Sequence, residues 1–438
     1  MRSLRVLGVW AVVASGAVGP GTAADPPTSP AGGEKWAAGS SHWITWPVGS
    51  RPRDERIRLE FSADGGRTWS AVAAVPNTGR YLWTVPDAPT RDGRVRLTAG
   101  GDTAASAAFV VVPSQSRTYR WTNVTRKAAF APRDGAGALV FRDRMWLLGG
   151  WNPADKTHFP RTCNNEVWSS ADGRDWRLEK LNTFRDRSFD PAADWEGRHT
   201  AGYAVFRDKM WVVGGDVNQG HYHADVWASA NGKKWEHANR SKPVPWGPRA
   251  LHYTVVHRDR IWVLGGQTVP QFAAAPEVFY RDVWTSADGV EWTQVKPREP
   301  FWPQRGMIGG AAVFRDRIWV LGGGTYDTPK IPDRKFYNDV WSSEDGVGWT
   351  RHVEQAPWEP RQYHEVAVFD DRLWVLEGYH PAGNRKDVWY SADGVNWYEV
   401  PATPWKPRHA AGVYTFQNAL WVVAGNNMES DVWKLERD

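Results

Sequence analysis

The sequence predicts an all-β protein, a six-bladed β-propeller preceded by a small β-sandwich. Three observations carry this. The 438 residues include 30 Trp, 42 Gly and 30 Pro, a mixture suited to short strands and tight turns. No stretch reads as an amphipathic helix. Four landmarks recur in fixed order along the last three quarters of the chain, and a repeat of this length marks a propeller.

The N-terminus reads as a secretory signal peptide, residues 1–24. Arg2 and Arg5 form a basic start, Val6 to Gly19 is apolar, and Thr22-Ala23-Ala24 offers a small-residue cleavage site. The apolar run is short for a membrane span, and no later segment qualifies. An uncleaved anchor is the alternative. The expected location is secreted or periplasmic, with no membrane span after cleavage. The only cysteine is Cys163, so no intrachain disulfide is possible.

Residues 25–35 are rich in Pro, Gly and Ser and are expected to be a linker. Residues 36–113 hold short alternating runs separated by turn signals such as Asp64-Gly65-Gly66 and Asp92-Gly93. That pattern fits an immunoglobulin-like sandwich. Ser62 to Trp69 looks like an Asp-box, a structural hairpin device.

From residue 117 to 438 the repeat takes over. Its first landmark is an arginine opening a strand: Arg133, Arg198, Arg249, Arg305, Arg361 and Arg408. The second is an apolar strand ending in small residues, at Gly149-Gly150, Gly214-Gly215, Gly265-Gly266, Gly322-Gly323, Glu377-Gly378 and Ala424-Gly425. The third is an acidic residue before Val-Trp, at Trp168, Trp227, Trp284, Trp341, Trp389 and Trp433. The fourth is a hairpin and a further Trp, as in Asp172-Gly173 to Trp176. It occurs only five times downstream. Trp121 is spaced from Arg133 as Trp349 is from Arg361. A strand near 118–126 is therefore expected to close the last blade, which hides sheet edges.

These Gly-Gly, Asp-Val-Trp and Trp series resemble the kelch repeat, as in the propeller of galactose oxidase. The resemblance covers residues 117–438 and implies the fold while leaving function open.

Strand parity puts the arginines and the long connections on one face, here called the top. Long loops over a rigid scaffold commonly hold sites. These loops carry Trp151, Tyr222, Phe279, Tyr280, Tyr326, Phe336, Tyr337, Tyr379 and His380. His199, His364 and His409 lie near the arginines in sequence. Aromatic rings over guanidinium groups suit an anionic glycan, a sugar acid or an acidic peptide. Six converging arginines also need an answer, since two like charges about 10 Å apart repel by about 1.7 kcal/mol at an effective dielectric near 20. The six arginines, with His199, His409, Tyr222, Tyr326 and Tyr379, are the expected ligand contacts.

Glu377 stands where the repeat has its first glycine, and it can be read as a counter-ion or as a general base with His364 as partner. His221 and His223 share one side of an extended segment without an accompanying carboxylate cluster. No metal and no cofactor are expected. Arg361-Gln362-Tyr363-His364 looks like part of the galactose oxidase copper site, but Cys163 is not placed for that enzyme's crosslinked cofactor.

Formal net charge is +5, and export argues against nucleic acid as partner. Two functions stay open. A non-catalytic, monomeric binding protein is favoured. The alternative is a sugar-acid isomerase similar to the kelch-type N-acetylneuraminate epimerase.

Overall fold

The computed structural model describes residues 25–154, 162–184, 189–218, 221–270, 274–305, 310–326, 328 and 333–438. The segment expected to be a signal peptide lies outside them. The chain divides into two compact units, residues 1–35, 43–83 and 88–112, and residues 36–42, 84–87 and 113–438.

In the first unit, Arg56–Ser62 pairs with Ser70–Pro76 on one side and Thr90–Ala99 on the other. Thr90–Ala99 also pairs with Asp102–Ala105 and with Phe109–Val112. Alternation buries Ile57, Leu59, Phe61, Val95, Leu97, Phe109 and Val111. Residues expected to form a linker are bonded into this unit. Thr28 N donates to Thr45 O at 2.8 Å, and Gly33 N donates to Ala108 O at 2.8 Å. Extended Pro/Gly-rich backbone still carries donors, and a sheet edge satisfies them.

The described residues of the second unit form five four-stranded antiparallel sheets, a larger sheet whose first four strands follow the same order, and two two-stranded ones. The first joins Gly137–Phe141, Arg144–Leu148, Val167–Ser170 and Trp176–Lys180. The five others of four or more strands repeat this order. In the sixth, Gly412–Phe416, Ala419–Val423 and Val432–Arg437 are followed by Tyr119–Thr125, with Leu435 opposite Trp121. In the fifth, Ser41 pairs with Trp397 at the outer strand. The first strand of each sheet lies beside the first strand of the next, and the sixth lies beside the first, so the sheets close a ring.

The second strand of each sheet is buried along its length, as in Met145, Trp146, Leu147 and Leu148. In five of the sheets its Trp packs on the outer hairpin of the following sheet, while Trp374 of the fifth packs on Tyr119. A Cβ on Gly173 would stand 2.3 Å from Trp421, which couples the first sheet to the sixth. Each hairpin is held by an Asp-box. Ser170 Oγ accepts from Gly173 N at 2.8 Å, Asp172 Oδ1 accepts from Arg174 N and Asp175 N at 2.9 Å, and Trp176 Nε1 donates to Gly173 O at 2.9 Å.

Candidate functional site

The six repeated arginines are structural braces, which corrects the expectation that they face a ligand. None is more than 2% exposed. Arg198, Arg249, Arg305, Arg361 and Arg408 each grip one carboxylate with both terminal nitrogens, on Asp225, Asp282, Asp339, Asp387 and Asp431 in turn. Arg133 pairs with Glu166 at 2.7 Å and takes Asn164 Oδ1 at 3.1 Å. Each Nη1 also donates to the carbonyl of the first small-residue position, such as Gly149 O at 3.0 Å and Glu377 O at 2.8 Å. Those carboxylates are the acidic residues before Val-Trp, and each accepts from its Trp indole as well, as Asp339 does from Trp341 at 2.7 Å. The charges that would converge on a ligand are neutralised within each sheet.

Glu377 and His364 do not form an acid–base pair open to solvent. His364 is fully buried, and its Nε2 lies 2.8 Å from Leu321 O. Burial, then Arg361, pushes its pKa down to about 3. Glu377 adopts φ +50 and is fully buried, with Oε1 accepting from Ala411 N at 2.9 Å. Burial pushes its carboxyl up to about 8. The group that joins it is Glu365, at the start of the first strand of the fifth sheet. Burial, then the Glu377 charge, raises that carboxyl well above the usual range. The first-strand starts Gly137, Gly202 and Gly412 are glycines, and Glu365 stands in the matching place. Nothing in the repeat pattern singles it out as chemically paired with Glu377.

His199 belongs to a second cluster. Its Nδ1 lies 2.8 Å from Asp216 Oδ1 and 3.5 Å from Cys163 Sγ, and its ring stacks 6.1 Å from Trp151. Burial opposes its charge, but Asp216 and Cys163 outweigh it and hold the imidazole pKa well above its ordinary value. Burial raises the Cys163 thiol and lifts Asp134 to about 6. One nitrogen of His199 faces both partners. A nucleophile relay needs the two ring nitrogens on opposite partners, so this trio lacks that geometry.

The guanidinium that does sit among open aromatic rings is Arg334. It follows the long excursion between the second and third strands of the fourth sheet, outside every repeat landmark. Those strands, Arg317–Thr325 and Lys335–Ser343, run past the glycine pair, with Thr325 opposite Lys335. In the fifth sheet Arg372–His380 and Gly383–Ser391 extend likewise, with His380 opposite Gly383. These two projecting hairpins bring Tyr326, Phe336 and Tyr379 around Arg334, at 4.3, 5.5 and 4.9 Å from its Cζ to each ring centre. Arg334 Nε donates to Gln362 Oε1 at 2.8 Å, while Gln362 Nε2 is spent on the carbonyls of Thr325 and Lys335. Among the described residues no carboxylate lies within ion-pair distance of Arg334, and its two Nη groups have no acceptor. His409 completes the group. Its ring lies 5.8 Å from Tyr379 and 5.1 Å from Tyr363, and its Nδ1 is 2.8 Å from Asn384 Oδ1. Burial, then the Arg334 charge, pushes its pKa down to about 3, so it is a neutral ring at physiological pH.

Of the expected contacts, Tyr326, Tyr379 and His409 therefore come together, around an arginine that the repeat does not contain. Tyr222 does not join them. Its hydroxyl donates to Val269 O at 2.9 Å and accepts from Val269 N at 3.0 Å. His221 and His223 gain a partner that spacing did not reveal, because Glu196 Oε2 lies 3.1 Å from each Nε2.

No family model matches the chain. It is 24% identical to Beta-scruin of Limulus polyphemus over 255 residues, which is 56% of this chain and 25% of that protein. It is 25% identical over 264 residues to the Leucine-zipper-like transcriptional regulator 1 homolog of Drosophila melanogaster, 57% of this chain and 24% of that protein. The matched region spans 25% and 24% of the length of these curated relatives. The solved structure of YjhT superposes with a TM-score of 0.50 at 15% identity, covering 70% of this chain and 95% of that one. At that identity the likeness bears on fold alone. Together with the repeats and the all-β ring, these likenesses support a kelch-like propeller.

Proposed function

We propose that the chain is an exported six-bladed kelch propeller, behind an immunoglobulin-like domain, that binds an anionic ligand over Arg334. The ligand class is a sugar acid, an anionic glycan or an acidic peptide. One observation carries this reading: among the described residues no carboxylate pairs with the Nη edge of Arg334, while Tyr326, Phe336 and Tyr379 wall it in. A planar guanidinium held at Nε by Gln362 presents a two-pronged donor edge to a carboxylate. The flanking rings offer flat apolar faces to a sugar or an aliphatic stem. Among the arginines weighed above, only this one combines charge, access and aromatic walls.

The sugar-acid isomerase remains as a second reading. It draws on Glu377, whose carboxyl burial lifts to about 8 so that it keeps a proton at neutral pH and provides an acid, and on Glu365, which is raised in the same direction. Their burial places this reading second.

A glycan and acidic-peptide array, followed by calorimetry on the best hit, tests the proposal. Arg334→Ala should abolish binding, with the melting temperature preserved. Retained affinity in that variant would remove Arg334 from the site. Incubation of sugar acids with the protein under NMR reads out isomerisation, and turnover that disappears in Glu377→Gln would favour the second reading.

A further inference from the structure

We propose that Glu196, His221 and His223 form a binding site for a zinc-type divalent cation. The three ligand atoms all lie within 4.8 Å of one another, and no other assigned role uses them. Glu196 Oε2 is 3.1 Å from both His221 Nε2 and His223 Nε2. Atoms about 2.1 Å from a common ion, at angles between octahedral and tetrahedral, stand about 3.0–3.4 Å apart. Two of the three spacings already suit an ion, and the third, between the two histidine nitrogens, lies within 4.8 Å.

A second observation points the same way. Glu196 Oε2 and His223 Nε2 are both out of water, yet neither makes an in-line hydrogen bond. An N–H aimed at the carboxylate would satisfy both, whereas groups converging on a shared point leave each other unaligned. Two buried polar atoms held 3.1 Å apart but out of line gain little from each other, and an ion between them would satisfy both.

The fold prepares this arrangement. His221 and His223 alternate along one extended segment, with Asp216–Asn218 paired against His221–Tyr222. His223 N donates to Gly215 O at 2.9 Å, and its carbonyl accepts from Arg249 N at 3.1 Å, which fixes the backbone. Glu196 is fixed from below, since its carbonyl accepts from Arg198 Nε at 2.9 Å. The nearby Arg198 charge does not oppose a cation, because Asp225 answers it at 2.5 and 3.1 Å. Asp225 Oδ2 also lies 3.7 Å from His223 Nδ1, too far to hydrogen-bond but close enough to add negative charge beside the imidazole. Net local charge is then that of Glu196 alone, one negative. Two imidazoles and one carboxylate select zinc-type ions over calcium or magnesium, which take oxygen ligands. His221 is half exposed, so a fourth coordination position opens to solvent, where water or an anionic ligand can enter.

The test uses the purified chain stripped with chelator. Zinc titration by calorimetry and cobalt(II) titration by visible absorption should each show one equivalent bound. His221→Ala and Glu196→Gln should each weaken binding by more than the roughly 10–100-fold that even an outer-shell loss costs. His237→Ala, a histidine stacked on Trp227, should bind as the parent does. Zinc should raise the melting temperature of the parent and not of His221→Ala. Absent heat and absent cobalt colour in the parent would overturn the proposal. So would binding that survives both ligand substitutions. Neither outcome bears on Arg334, which sits in different sheets.

Discussion

Arg305 and Asp339 face each other through two parallel hydrogen bonds, Nη1 to Oδ1 at 2.6 Å and Nη2 to Oδ2 at 2.8 Å, with the arginine wholly out of water. The same arginine donates to Gly322 O at 2.7 Å, and Asp339 accepts from Trp341. One ion pair thus ties the entering segment, the second strand and the third strand of a sheet. Five further copies do the same around the ring.

Removing one partner of such a pair leaves a buried charge without an answer. Arg305→Ala and Asp339→Ala should each destabilise the propeller by about 3–5 kcal/mol. Arg305→Met with Asp339→Leu should cost clearly less than the sum. Urea unfolding of the four proteins in a double-mutant cycle checks this. Additive, small effects would mean that the pair is not a brace.

Hairpin packing between sheets makes a second prediction. Gly173→Ala adds a methyl group where Trp421 stands 2.3 Å away, at a residue with φ +73. Overpacking of this kind costs about 1–3 kcal/mol, and the left-handed backbone adds about 1–2 kcal/mol. Gly383→Ala provides the comparison, since φ is +114 there but nothing lies within 4 Å of its Cβ. The difference between the two melting temperatures isolates the contact with Trp421. Equal losses would mean that the sixth and first sheets are not coupled through this residue.

Glu377 makes stability depend on pH with a definite sign. Its folded pKa is raised to about 8 by burial, against attraction from Arg408 and Arg361 and with repulsion from Asp431. The folded chain therefore holds a proton that the unfolded chain releases above about pH 4.3. The contribution is complete below that value and is lost as pH rises through about 8, at a slope of up to about 1.4 kcal/mol per pH unit. Glu365 acts in the same direction. Histidines held neutral, such as His364, act oppositely below about pH 6.5, so the comparison must be between proteins. Glu377→Gln should be more stable than the parent at pH 8, and the gap should close towards pH 5. A constant gap across that range would show that Glu377 does not titrate between those values.

Much of the architecture was legible because its determinants are local. Asp172-Gly173 and its counterparts need a turn with positive φ, Val-Trp and the apolar runs need strands, and the order of landmarks repeats. The all-β, kelch-like reading rests on those features alone. The arginines were legible as a set, and so were the acids before Val-Trp. Their pairing was not, because Arg305 and Asp339 are 34 residues apart, across a loop whose length varies among the sheets. Arg334 escaped for a related reason. It lies in the connection between second and third strands, whose residues do not repeat from sheet to sheet, so periodicity is blind to it.

The residues themselves determined the strands, the hairpins and their recurrence along the chain, since backbone conformation follows from side chains close in sequence. Tertiary structure decided which charges are spent and which remain available. Carboxylates brought across neighbouring strands silence the six repeated arginines. Two projecting hairpins leave Arg334 among aromatic rings, with an edge still able to donate.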